Sequence, residues 1–87
     1  MPTMPEDKAA TPVVALTVDA KGLACPMPVF RAKKGLMSVN VGEVVEVWAT
    51  DPGSMPDFKA FANSTGHELL AAEQQGDVYR FLLRRAK

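Results

Sequence analysis

The chain has 87 residues, 47% apolar and 23% charged, and its ten basic and ten acidic side chains cancel. That length holds one small domain with a modest core, and the composition excludes disordered, fibrous and membrane-spanning classes. Balanced charge supplies no global field to attract nucleic acid or a membrane surface, so direct nucleic-acid or membrane binding is not expected and a protein or small molecule is the expected partner.

Met1 to Pro12 carries Pro2, Pro5 and Pro12 among small and charged residues with no apolar periodicity, and reads as a flexible N-terminal tail before a single domain over 13–87. The tail lacks the apolar stretch of a signal peptide and no run approaches the ~20 residues of a membrane span, so the expected location is the cytoplasm. Val13 to Asp19 alternates at Val14, Leu16 and Val18, which predicts a half-buried strand. A short loop around Gly22 leads to Cys25-Pro26-Met27-Pro28, which opens a helix running to about Asn40. Its core stripe is Val29, Ala32, Leu36 and Val39. Gly35 inside it costs up to about 1 kcal/mol relative to alanine.

Val41-Gly42 ends that helix. Glu43 to Asp51 is a second strand with Val45, Val47 and Ala49 on one face and Val44, Glu46, Trp48 and Thr50 on the other. Asp51-Pro52-Gly53 is a turn, and Ser54-Met55-Pro56-Asp57 has the form of a capping box opening a second helix, whose stripe is Met55, Phe58, Phe61 and Ala62. Gly66 stands where a left-handed C-cap is needed. His67 to Gln75 is a weaker strand, Gly76-Asp77 a hairpin turn, and Val78 to Arg85 a last strand with Tyr79, Phe81 and Leu83 on one face. The order is βαβαββ. The economical packing is an α+β, two-layer sandwich with both helices on one face of a four-stranded mixed sheet. The other face is then open and carries Val44, Trp48, Leu70 and Leu82, an apolar set that reads either as half-buried strand residues or as an interaction patch.

The chemistry concentrates at Cys25. As the only cysteine it cannot form an internal disulfide, so its thiol is free. Lone cysteines in small domains are commonly inert buried residues. Here Pro26 and Pro28 preset a first helical turn and put Cys25 at or beside the N-cap, where roughly half a positive charge and free N–H groups favour an anion. A helix start can draw a thiol down from about 8.5 toward neutrality, so the expectation is an exposed nucleophile with an enriched thiolate. Arg31, Lys33 and Lys34 cluster on the same helix and predict a positive local potential. Arg31, Lys34 and Ser38 fall opposite the core stripe; Phe30, Met37 and Lys33 lie on a flank that either packs on the second helix or, with Met27, offers a docking surface. His67 reads as a strand-end polar residue rather than as the base of a Cys-His pair. Asp51 either forms the turn before Pro52 or lies near the cysteine motif. No phosphate loop or CxxC knuckle occurs, and no metal or organic cofactor is called for.

Cys25-Pro26-Met27-Pro28, preceded by Gly22-Leu23 and followed by a helix, resembles the C-P-x-P motif of the TusA/SirA family of small sulfur-carrier proteins. Ala49-Thr50-Asp51-Pro52 followed by Asp57, and Gly66-His67-Glu68-Leu69, extend the match in register from about Leu16 to Arg84. The resemblance implies a two-layer βαβαββ sandwich and Cys25 as the residue that carries sulfane sulfur as a persulfide, with Pro26 and Pro28 supporting the helix start. Some members have a second cysteine where this chain has Ala62, and some that act in tRNA thiolation have an acidic residue where this chain has Met27. The implied function is a monomeric, cytoplasmic sulfur carrier rather than a self-contained enzyme. It would take sulfur from a donor protein of the cysteine desulfurase or rhodanese kind and pass it to an acceptor protein, in tRNA thiolation, cofactor biosynthesis or sulfur-compound metabolism. The alternative is a non-catalytic interaction or regulatory module in which Cys25 is structural and the basic helix or open sheet binds a partner.

Overall fold

Period-two alternation places Val14–Ala20 (β1), Val44–Ala49 (β2), Glu68–Gln75 (β3) and Val78–Arg84 (β4) in one sheet, and helical stripes make α1 of Met27–Ser38 and α2 of Ser54–Thr65. The computed structural model describes residues 13–87, and the tail expected over 1–12 lies outside the described residues. Element order agrees with the sequence reading, with ends shifted by a residue or two. The sheet order is β1-β2-β4-β3, with β1 and β2 parallel and the other two pairs antiparallel. A parallel pair needs a crossover, which α1 supplies, whereas β3 and β4 close through a tight hairpin at Gly76. Both helices cover one face, α1 over β1 and β2, α2 over β3 and β4.

The core between the layers joins Val45, Val47 and Ala49 of β2, Tyr79, Phe81 and Leu83 of β4, Ala32 and Leu36 of α1, and Phe58 and Phe61 of α2. Phe58 stacks on Phe81 with ring centroids 4.3 Å apart and meets Phe61 edge-on at 6.5 Å. On α1 the buried residues are Pro28, Ala32, Gly35 and Leu36, while Val29 and Val39 are only half-buried. Gly35 explains this rotation of the stripe. A Cβ built there would lie 3.1 Å from both Leu16 Cδ2 and Val18 Cγ2, so the helix approaches β1 more closely than a side chain allows. Phe30 and Met37 are turned outward and are 56% and 69% exposed, so this flank does not pack on α2. The Arg85 guanidinium donates to the Val39 carbonyl at the end of α1, and α2 ends at Gly66, whose φ of 85° lets its N–H bond the Ala62 carbonyl at 2.9 Å.

The opposite sheet face is not the bare apolar surface that the sequence suggests. Val44 and Leu82 are buried, and Trp48 and Leu70 half-buried. A polar ladder roofs them, crossing all four strands in spatial order. The Thr17 hydroxyl donates to Glu46 at 3.0 Å, Arg80 donates to Glu46 at 2.5 Å, and Arg80 reaches Glu73 at 3.3 Å. Arg84 pairs with Glu68 at 3.1 Å, and Lys21 and Arg80 lie over the Trp48 ring at 6.0 and 5.7 Å. The long stems cover apolar area, so Trp48 and Leu82 stand as half-buried and buried strand residues under the ladder.

Candidate functional site

Two small, fully buried residues, Ala20 and Ala49, pair at the C-terminal ends of the parallel strands β1 and β2, so the loops that leave them run side by side. The β2 loop grips the β1 loop at two points. The Gly22 N–H donates to the Thr50 hydroxyl at 2.9 Å, and the Cys25 N–H donates to Asp51 Oδ2 at 2.8 Å. Asp51 Oδ1 accepts the Gly53 N–H at 2.8 Å, closing an Asx turn ahead of α2. One carboxylate thus does both things that the sequence left open, forming the turn and holding the cysteine motif.

Pro26 is the N-cap of α1 and makes no side-chain cap bond, Cys25 stands one residue earlier, and Pro28 is buried in the first turn. The sulfur lies against the start of α2. Cys25 Sγ is 3.7 Å from Ser54 Oγ, and a Cβ at Gly53 would come within 3.4 Å of it. Asp57, one turn beyond Ser54 on the same face of α2, brings a carboxylate to the same side of the thiol and acts on its titration. Ser54 is fully buried. The capping box predicted for it does not form, because the N-cap is Gly53 and Ser54 turns its hydroxyl to the sulfur instead.

This geometry reverses the electrostatic expectation. The Cys25 thiol is pushed up from its ordinary value, first by burial, then by the Asp57 carboxylate and the charge of Asp51; the Ser54 hydroxyl pulls the other way. The helix start contributes little because its donors are committed. At the start of α1 the Met27 N–H donates to the Ala24 carbonyl, the Val29 and Phe30 N–H groups to the Pro26 carbonyl, and Pro26 and Pro28 have none. The charges that act on the thiol are those of Asp57 and Asp51 rather than the cations of α1, and at neutral pH the group rests as a thiol. Asp51 itself is held below the usual carboxylate range by the N–H groups of Cys25 and Gly53.

Arg31, Lys33 and Lys34 are exposed on α1, and among the described residues none is ion-paired. Arg31, Lys34 and Ser38 line a groove beside β1 rather than standing opposite the core; the most outward residues of α1 are Phe30 and Met37, with Met27 43% exposed. His67 lies at the C-terminal end of α2, about 18 Å along the helix from Ser54. Its Nδ1 accepts the Ala86 N–H, and burial, with Arg85 and Lys87 nearby, pushes its pKa down. It plays no part at the sulfur. The residues that the sequence reading missed are Thr50, Gly53, Ser54 and Asp57. The pattern Ala49-Thr50-Asp51-Pro52 followed by Asp57 was their signal, since every polar member of it faces the cysteine loop.

Comparison with known proteins covers this same region. Residues 16–85 match the family described as sulfurtransferase TusA. The chain is 50% identical over 70 residues to the putative sulfur carrier protein YrkF of Bacillus subtilis, a match that takes in 80% of this chain and only 38% of that longer protein. It is 48% identical over 69 residues to the sulfur carrier protein TusA of Allochromatium vinosum, covering 79% of this chain and 91% of that one. The crystal structure of a SirA-like protein from Desulfitobacterium hafniense superposes with a TM-score of 0.71 at 30% identity, over 83% of this chain and 99% of the other.

Proposed function

The chain belongs to the sulfurtransferase TusA family, and from that premise we propose that it is a sulfur carrier whose Cys25 accepts sulfane sulfur as a persulfide and yields it to an acceptor protein. The observation that supports this most is the placing of the only cysteine. Cys25 is half-buried at the mouth of two joined loops, its main chain fixed by Asp51 and its sulfur set against the buried Ser54 hydroxyl. In the loading step the Cys25 sulfur attacks the terminal sulfur of a donor persulfide. A new S–S bond forms as the donor's breaks, and the donor departs as a thiolate. Asp57 takes the Cys25 proton as the attack begins and the departing thiolate collects it, so donor persulfide and Cys25 thiol become donor thiol and Cys25 persulfide. Delivery repeats the exchange with Cys25 as the leaving group. Pro26 and Pro28 hold the helix start that carries the cysteine.

The donor would be a protein of the cysteine desulfurase or rhodanese kind, and the exchange would take place in the cytoplasm, with the carrier a monomer. Met27, Arg31, Lys33 and Lys34, with Phe30, form the face of α1 on which such partners dock. Among the described residues no helix is long and apolar enough to cross a membrane. The test is intact mass analysis after incubation with a persulfide donor. One added sulfur, mapped to Cys25 and absent in Cys25→Ser, is expected; loading elsewhere, or none, would overturn the reading and leave an interaction module with a structural cysteine.

A further inference from the structure

Beside the Cys25 site, α1 and the outer edge of β1 leave a groove of about 540 Å³ that the sulfur chemistry does not use. β1 is an edge strand paired only with β2, so its outward backbone N–H and C=O groups lack a ladder partner. Thr17 and Asp19 border the groove, yet their side chains take the other sheet face, where Thr17 bonds Glu46 and Asp19 pairs with Lys21. They offer the groove main chain. Its floor is the half-buried Leu16 and Val18, and Gly35, with no side chain, keeps the wall low. Arg31 and Lys34 stand over it, exposed and with no carboxylate partner among the described residues.

We propose that this groove is the docking site for an extended acidic segment of the protein that exchanges sulfur with Cys25, a segment that adds itself to β1 as a fifth strand and sets its carboxylates against Arg31 and Lys34. The proposal rests on the carrier reading for its partner, and on the groove alone for the partner's form. An unpaired strand edge selects an extended main chain, and alternate side chains then reach one face. Those side chains repeat every ~6.6 Å along a strand, close to the ~5–6 Å that separates residues three apart on a helix, so consecutive same-face carboxylates meet Arg31 and Lys34. Apolar residues of the segment rest on Leu16 and Val18. The sheet's other edge, β3, carries Glu68 and Glu73 and no cation, so an acidic segment is directed to β1. β1 runs into the loop that bears Cys25, which brings one end of the docked segment to the thiol.

The experiment titrates the isotope-labelled full chain with an end-blocked peptide of alternating glutamate and valine, followed by amide chemical shifts and hydrogen exchange. Saturable shifts from Ala15 to Asp19 and at Arg31 and Lys34, with slowed exchange of outward β1 amides, are expected. The same peptide N-methylated at every second residue should not bind, a lysine-valine peptide should not bind, and Arg31→Glu with Lys34→Glu should weaken affinity about tenfold. Equal binding of the N-methylated peptide, shifts confined to the Phe30–Met37 face or to β3, pairing of two copies through β1 in place of peptide, or no saturable binding would each overturn the proposal. Sulfur loading from a small persulfide donor, read by mass in the same samples, separates the two readings. Loading without peptide binding strikes the groove alone, and peptide binding without loading strikes the carrier.

Discussion

Gly35→Ala should destabilise the protein, against the usual expectation for a glycine in a helix. In the interior of α1 alanine gains about 1 kcal/mol of helix propensity. The structure opposes this with three contacts. The added Cβ falls 3.1 Å from Leu16 Cδ2, 3.1 Å from Val18 Cγ2 and 3.6 Å from Val45 Cγ1. Carbons pack best at about 3.5–4.0 Å, so two neighbours must retreat by about half an ångström at once. Leu16 and Val18 are half-buried and give partly, but Val45 is fully buried behind them, and the remaining relief comes from lifting α1 off the sheet. Overpacking of this kind costs about 2 kcal/mol, which leaves a net loss of about 1 kcal/mol. Gly35→Val adds two more carbons to the same gap and should lose more than about 3 kcal/mol, a large part of the roughly 4–13 kcal/mol that a chain of this length possesses. The assay is urea unfolding followed through the single tryptophan, Trp48, with the slope unchanged and the midpoint lowered. An alanine variant about 1 kcal/mol more stable than the parent, the value of propensity alone, would show that the close approach of α1 to β1 is absent.

Alkylation of Cys25 against pH should show an inflection above that of an unstructured peptide bearing the same motif, moved down by Asp57→Asn and up by Ser54→Ala; an inflection at or below the peptide's refutes the carboxylate cradle. With Ala62 in the second helix and no other cysteine to resolve it, a persulfide loaded on Cys25 should persist without external thiols, and rapid loss of the added sulfur without a dimeric disulfide would count against that. Glu46 loses solvation by burial, which raises its pKa, but the hydrogen bonds from Arg80 and Thr17 outweigh this and hold it below the ordinary carboxylate value. Its contribution to stability is therefore complete above that ordinary value and lost as pH falls through the lowered one, and Glu46→Gln should flatten this part of the acid unfolding curve; superimposable curves for parent and variant would show the ladder to be idle.

The sheet, both helices and their order were legible because alternation at Val45, Val47 and Ala49, and again at Tyr79, Phe81 and Leu83, leaves one strand register that buries them. Gly66 was legible as a cap because a left-handed residue there admits little else. What the sequence hid were directions rather than positions. Ser54 carries the signal of a cap, and only the approach of Cys25 from another loop turns its hydroxyl to sulfur. The rotation of α1 depends on how closely Gly35 nears β1, a distance that periodicity does not encode, and so the outward centre of the helix moved from Lys34 to Phe30 and Met37. The open sheet face looked bare because Glu46, Arg80 and Glu73 lie far apart in the chain and meet only through register.

The acidic surroundings of Cys25 suit a carrier better than the bare helix start that the motif suggested. A carrier cysteine is a nucleophile when it loads and a leaving group when it delivers, and one thiol pKa governs both. A depressed value enriches the thiolate but makes each thiolate a weaker nucleophile, and it lets the loaded sulfur depart readily to any thiol. A raised value does the opposite. With thiolate scarce at rest, a carrier of the kind proposed would be slow toward adventitious oxidants and alkylating agents, and once loaded its cysteine would be a reluctant leaving group that keeps its sulfur until an acceptor is aligned. Delivery would then need a proton on the departing Cys25 sulfur, and Asp57 is a carboxylate that acts on that sulfur's titration. In the proposed mechanism the carboxylate that suppresses reaction in solution would shuttle the proton when a docked partner brings the second sulfur into line, and the exposed cations of α1 would attract that partner without drawing the thiol into its reactive form beforehand.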